Sequence, residues 1–113
     1  MKVKQSVMMS PELTKEAEDL GILLARLRHA YGVKQQDAAL RAGISRNSAY
    51  RLEKGDPGMA IGQILRYLDA ISPGKTLLDL LSQSDPALIS LQSKEKRQRV
   101  RDMTTAELKD IDF

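Results

Sequence analysis

The stretch "QQDAALRAGISRNSAYRLEKG", Gln35 to Gly55, constrains this chain more than any other. It predicts two short helices joined at a glycine. The first, Gln35 to Arg41, is rich in Ala38, Ala39 and Leu40. The second is capped by Ser45 and runs to about Lys54, before "GDPG" breaks the chain. Gly43 lets the turn adopt a left-handed conformation without steric cost, and Ala39 is small enough for the two helices to approach closely. Ile44 and Leu52 anchor the second helix. Arg46, Asn47, Ser48, Tyr50 and Arg51 then point at least partly outward, which is more polar surface than burial requires.

The flanking segments supply the rest of a helical domain. In "SPEL", Ser10 can cap, Pro11 suits the first helical position and Glu12 favours the positive helix end. Leu13, Ala17, Leu20, Leu24, Leu27 and Tyr31 follow at the spacing of one buried stripe, and Gly32 ends it. Ala60 to Ile71 reads as a helix burying Ile61, Ile64, Leu65, Leu68 and Ile71, closed by "SPG". Thr76 to Leu81 reads as a short fifth helix. Its four leucines, Leu77, Leu78, Leu80 and Leu81, exceed what one face needs and read as a dimer seam, with internal core as the alternative.

The ends are less regular. Residues 1–9 alternate Val3, Val7 and Met9 with polar positions and read either as a strand or as a disordered leader. Residues 10–83 form the domain. Residues 84–113 read as a flexible tail, basic then acidic and ending in Ile111 and Phe113, with Thr104 and Glu107 forming a capping box for a short helix to about Asp110.

Composition excludes several chemistries. The 113 residues include no cysteine, which removes disulfides, thiolate catalysis and cysteine zinc sites. No apolar run reaches the roughly 20 residues that span a bilayer, and the first residues lack a signal-peptide pattern, so a cytoplasmic protein is expected. The net charge is only +3, but between Arg26 and Lys54 seven cations face two acids, Asp37 and Glu53. His29 lies on the polar side of its helix and reads as solvent-exposed. Asp110 and Asp112 have no nucleophile or metal ligand beside them, so no catalytic or metal site is expected.

In this register, "GVKQQDAALRAGISRNSAYRLEKG" resembles the helix-turn-helix of the lambda-repressor-like (Xre) family. Gln35, Ala39, Gly43, Ser45, Leu52, Glu53 and Gly55 fall at the motif's places, and the likeness covers roughly residues 20 to 81. The resemblance implies an all-α, five-helix domain that forms a homodimer and binds a palindromic double-stranded DNA operator without a cofactor. Carried over by position, Arg46, Asn47, Ser48 and Arg51 would read bases. Lys34, Gln35, Ser45, Tyr50 and Lys54 would contact phosphates, and Arg28 would pair with Glu53 to buttress the recognition helix. Two positions depart from the family. Lys34 stands where Thr or Ser usually caps, and Ala49 replaces a larger aliphatic.

The segments "ELTKEAEDLGILLARLRHAYGVKQQDAAL" and "LEKGDPGMAIGQILRYLDAI" are further similar to HipB-like antitoxins encoded beside HipA-type kinase toxins. That resemblance implies an antitoxin that represses its own operon and binds a kinase-type toxin. A stand-alone or phage-type repressor, or a restriction-modification control protein, would use the same DNA chemistry without a toxin. The basic run "KEKRQRVR" stays open between a solvated linker, added DNA backbone contact and a surface for an acidic partner.

Overall fold

A computed structural model describes the backbone of residues 3–111 and the side chains of residues 3–102. Its elements are α1 (Gln5–Met8), α2 (Pro11–Ala30), α3 (Gln35–Ala42), α4 (Arg46–Glu53), α5 (Ile61–Ile71), α6 (Leu77–Ser82) and α7 (Pro86–Ile111). The expected all-α class holds, and the five expected helices are α2 to α6. None of the described helices is long and apolar enough to cross a membrane.

Local chemistry sets the helix ends. Ser10 Oγ accepts the Leu13 N–H at 3.2 Å, and Thr76 Oγ1 accepts the Asp79 N–H at 3.1 Å while the Asp79 carboxylate takes the Thr76 N–H. Leu24 and Leu27 face inward from α2, whereas Leu13 and Tyr31 reach past the ends of the core and stay exposed. α3 packs chiefly on α5 and α4. Four alanines, Ala38, Ala39, Ala42 and Ala49, are buried with Tyr67, which is among the largest fully enclosed side chains. The small residues let the helices close on one another, and the tyrosine fills the centre.

That arrangement corrects the reading of α5. Tyr67, Leu68 and Ile71 are buried and Ile64 packs at the core's edge, but Ile61 and Leu65 are exposed. The buried stripe rotates to bring Tyr67 inward. The leucines of α6 divide in the same way. Leu80 is buried within the chain and has no free surface for an interface, Leu77 is partly buried against the core, and Leu78 and Leu81 are 78% and 51% exposed.

The chain's two ends differ from expectation. Gln5–Met8 is a single helical turn, not a strand, and it buries no residue. The stretch read as a tail forms α7, so Thr104 lies inside a helix instead of capping one. No glycine or proline follows Pro86, and nothing therefore breaks the helix once started. Asp85 starts it: its Oδ1 accepts the Ala87 and Leu88 N–H groups at 2.8 and 3.3 Å. Its Oδ2 accepts the Tyr31 hydroxyl at 2.7 Å and the Lys75 ammonium at 2.6 Å. Leu88 is wholly buried, and Arg26 forms a two-pronged ion pair with Glu95. The apolar period of α7 is weak because only its first turns are enclosed. Asp112 and Phe113 lie outside the described residues, as do the side chains of Thr104, Glu107, Asp110 and Ile111.

Candidate nucleic-acid interface

The turn between α3 and α4 forms as its glycine suggests. Gly43 adopts φ 70° and ψ 32°, and the Ile44 N–H closes the end of α3 by donating to the Ala39 carbonyl at 3.1 Å. Ser45 then caps α4: its Oγ accepts the Ser48 N–H at 3.0 Å, and its hydroxyl donates to Ser48 Oγ at 2.9 Å. Lys34 makes no side-chain cap for α3, consistent with the departure seen at that position. It is exposed, while Gln35 behind it is half-buried.

Ala49 and Leu52 hold α4 to the core, turning Asn47, Tyr50, Arg51 and Lys54 outward. Asn47, Arg51 and Lys54 are spaced four and three residues apart and therefore line one exposed face. Arg46 is exposed at the first turn, beside the capping Ser45. Lys54 Nζ lies 5.4 Å from the centre of the Tyr50 ring, a cation–π contact that draws both side chains together. Ser48 is half-buried, and its hydroxyl is engaged by Ser45, so it projects less than the other expected base readers.

Arg51 does not hang freely. Its Nε donates to Asp56 Oδ2 at 2.7 Å, the Asp56 N–H donates to the Arg51 carbonyl at 3.0 Å, and the Gly58 N–H donates to Asp56 Oδ1 at 2.8 Å. Hydrogen bonds from the Gly58 N–H and the Arg51 guanidinium hold the Asp56 carboxyl below its ordinary range. Pattern reading missed Asp56, although "GDPG" contains the Asp two residues ahead of Gly that an Asx turn uses.

Beneath α4, Arg28 and Glu53 meet as the motif register implies. Arg28 Nε lies 2.7 Å from Glu53 Oε2 and Nη2 lies 2.9 Å from Oε1, with side-chain exposures of 11% and 8%. Arg28 Nη1 also donates to the Val33 carbonyl at 2.9 Å, tying α2 to the segment before α3. Tyr67 adds its hydroxyl as a donor to Glu53 Oε2. Burial alone would raise the Glu53 pKa; the bonds from Arg28 and Tyr67 outweigh it and hold the carboxyl below its usual value. Burial and the adjoining carboxylate push the Tyr67 phenol upward. Tyr67 was missed in the sequence because the expected apolar stripe ran through Ile61 and Leu65, which are exposed, and left the tyrosine off the buried face.

Gly21 is the third omission. A Cβ at Gly21 would lie 2.6 Å from both the Glu53 carbonyl oxygen and the Gly55 nitrogen, so α2 and the end of α4 touch backbone to backbone. The signal was a glycine inside a strongly periodic helix, which marks a close approach.

No curated protein matches the chain, and no solved structure does. The Helix-turn-helix domain family matches residues 19–81, a span that begins in α2, contains the whole α3–turn–α4 unit and ends in α6. With more than half of the chain inside that match, and with the glycine turn, the capped second helix and its outward polar face in place, the chain belongs to the helix-turn-helix domain family of DNA-binding proteins.

Proposed function

We propose that the protein is a sequence-specific transcriptional repressor that binds a palindromic operator as a homodimer. The observation that carries this reading is the exposed row Asn47, Arg51 and Lys54 on α4, flanked by Arg46 at the helix start. Arginine can contact guanine O6 and N7 together, and asparagine adenine N6 and N7. Arg46, Asn47 and Arg51 are the base readers in this reading, with a smaller share for the half-buried Ser48. Lys34, Gln35, Ser45, Tyr50 and Lys54 contact phosphates. The exposed Leu78 and Leu81 on α6 supply the contact between copies. Duplexes selected by the protein from a random library, titrated beside random duplex, test the reading. Selected duplexes are expected to bind about a thousandfold more tightly, and equal binding would overturn it.

A second reading is favoured by α7. Beyond its buried first turns this helix exposes Lys94, Lys96, Arg97, Arg99 and Arg101. A cleft of about 740 Å³ opens between it and α2, lined by Arg26, Gln92, Glu95, Lys96, Gln98 and Arg99. Under this reading the repressor is an antitoxin, and α7 docks the acidic surface of a kinase-type toxin. Purification with the product of the neighbouring gene checks it; a kinase-like partner that stays bound when Lys94, Lys96, Arg97, Arg99 and Arg101 are all replaced would argue against α7 as the dock.

A further inference from the structure

The loop after α4 is folded around a single side chain of the recognition helix. The Asp56 carboxylate uses its two oxygens differently: Oδ1 closes the turn on the Gly58 N–H, and Oδ2 takes Arg51 Nε. The loop's backbone returns to the same residue, through the Asp56 N–H on the Arg51 carbonyl. Gly58 completes the enclosure, since a Cβ there would stand 3.1 Å from Asp56 Oδ1 and 3.7 Å from Arg51 Nη2.

This arrangement is distinct from the other cations of α4. Lys54 rests on Tyr50, a contact that sets no direction for its donors. For Arg46 the first-turn position provides exposure but no carboxylate to orient it among the described residues. Among the described residues, Arg51 alone on this helix has its guanidinium held by a carboxylate, and the bond to Nε leaves both Nη groups for another acceptor pair. A guanidinium held this way loses little rotamer freedom on binding, and its charge is partly balanced against phosphate.

We propose that Asp56 is a positioning residue that aims Arg51 at one base pair and makes it the chief specificity determinant of α4. The proposal rests on the DNA-binding reading above and deepens it. Arg51 becomes a reader in a preset orientation, while the neighbouring cations supply orientation-tolerant attraction.

Asp56→Asn isolates the effect. The amide oxygen can still accept the Gly58 N–H and preserve the turn, but the amide nitrogen cannot accept from Arg51 Nε. The experiment selects duplexes with the wild-type protein, substitutes each base pair in turn, and measures binding by wild type, Asp56→Asn, Arg51→Ala and the double variant. Thermal melting runs alongside. Asp56→Asn is expected to lose about tenfold discrimination at a single base-pair position, to bind random duplex at least as well as wild type, and to melt as wild type does. In the Arg51→Ala background it should change discrimination no further.

Additive losses in the double variant, or full discrimination retained by Asp56→Asn, overturn the positioning role while leaving DNA binding intact. Arg51→Lys provides a separate check: it keeps the charge, loses the fork and should resemble Arg51→Ala in discrimination. A wild-type protein with no preference for any duplex overturns this inference together with the reading on which it rests.

Discussion

Gly21 in α2 and Gly55 after α4 meet backbone to backbone, and neither has room for a Cβ. At Gly55, which holds φ +74°, the added carbon would fall 2.4 Å from the Ala17 carbonyl oxygen. This contact sets the depth at which the end of the recognition helix sits on the domain. Gly21→Ala is expected to cost about 1–3 kcal/mol through overpacking, read by thermal or urea melting. Because the displaced element is α4, affinity for selected duplex should fall with it.

Arg28 acts on α4 from within. It bridges Glu53 and the Val33 carbonyl, and touches no exposed face of the recognition helix. Arg28→Ala leaves the Glu53 carboxylate buried without its cation, and about 3–5 kcal/mol of destabilisation is expected. Tyr67→Phe removes one bond to a charged group, for about 1.5–3 kcal/mol. Chemical denaturation of both variants checks the order, with Arg28→Ala the weaker protein.

The same carboxylate predicts an acid response. Glu53 and Asp85 both have folded pKa values below their ordinary 4.5 and 3.8. Each therefore contributes stability that is complete above its ordinary pKa and is lost as pH falls toward the lower folded value, because the unfolded chain binds the proton more readily. The denaturation midpoint should be flat through neutrality and decline below about pH 4.5. Glu53→Gln should be less stable at neutral pH and should show a shallower decline.

Readers and anchors on α4 should separate by salt and sequence. Asn47→Ala is expected to lose about 1–3 kcal/mol of discrimination at one adenine-containing position. Lys54→Ala should weaken selected and random duplex alike and reduce the slope of log affinity against log salt by about one. Anisotropy titrations at several salt concentrations distinguish the two; equal losses from Asn47→Ala on both duplexes would assign Asn47 to the backbone.

The position of a cut in α7 should decide whether the domain survives. Truncation after Ser84 removes the buried Leu88 and the Asp85 carboxylate that joins Tyr31 to Lys75. Truncation after Gln98 keeps both. The shorter protein should melt markedly lower, as should Leu88→Ala by about 2–5 kcal/mol, while the longer one should match the full chain.

Elements whose causes lie within four residues are legible in the sequence by itself. Ser10 and Ser45 cap the helices they precede, Gly43 takes the left-handed turn, and Pro11 and "GDPG" bound what lies between them. Periodicity identifies α2. These signals are local because a cap or a turn satisfies its own backbone; the Arg28–Glu53 pair, 25 positions apart, was expected only from the family resemblance. The outward set on α4 follows from where Ile44 and Leu52 anchor the helix.

What only the tertiary structure decided depends on groups far apart in the chain. Tyr31 and Asp85 are 54 positions apart, and no periodic pattern in α7 announces the bond that docks its start. The face of α5 turned on Tyr67, whose hydroxyl needed a carboxylate from α4, and Leu80 became core once α6 lay on α2. Arg51 reads in the sequence as an exposed cation, but the direction of its guanidinium is set by Asp56 across a folded loop. Residue type determined what each of these groups could bond, and packing determined which partner was within reach.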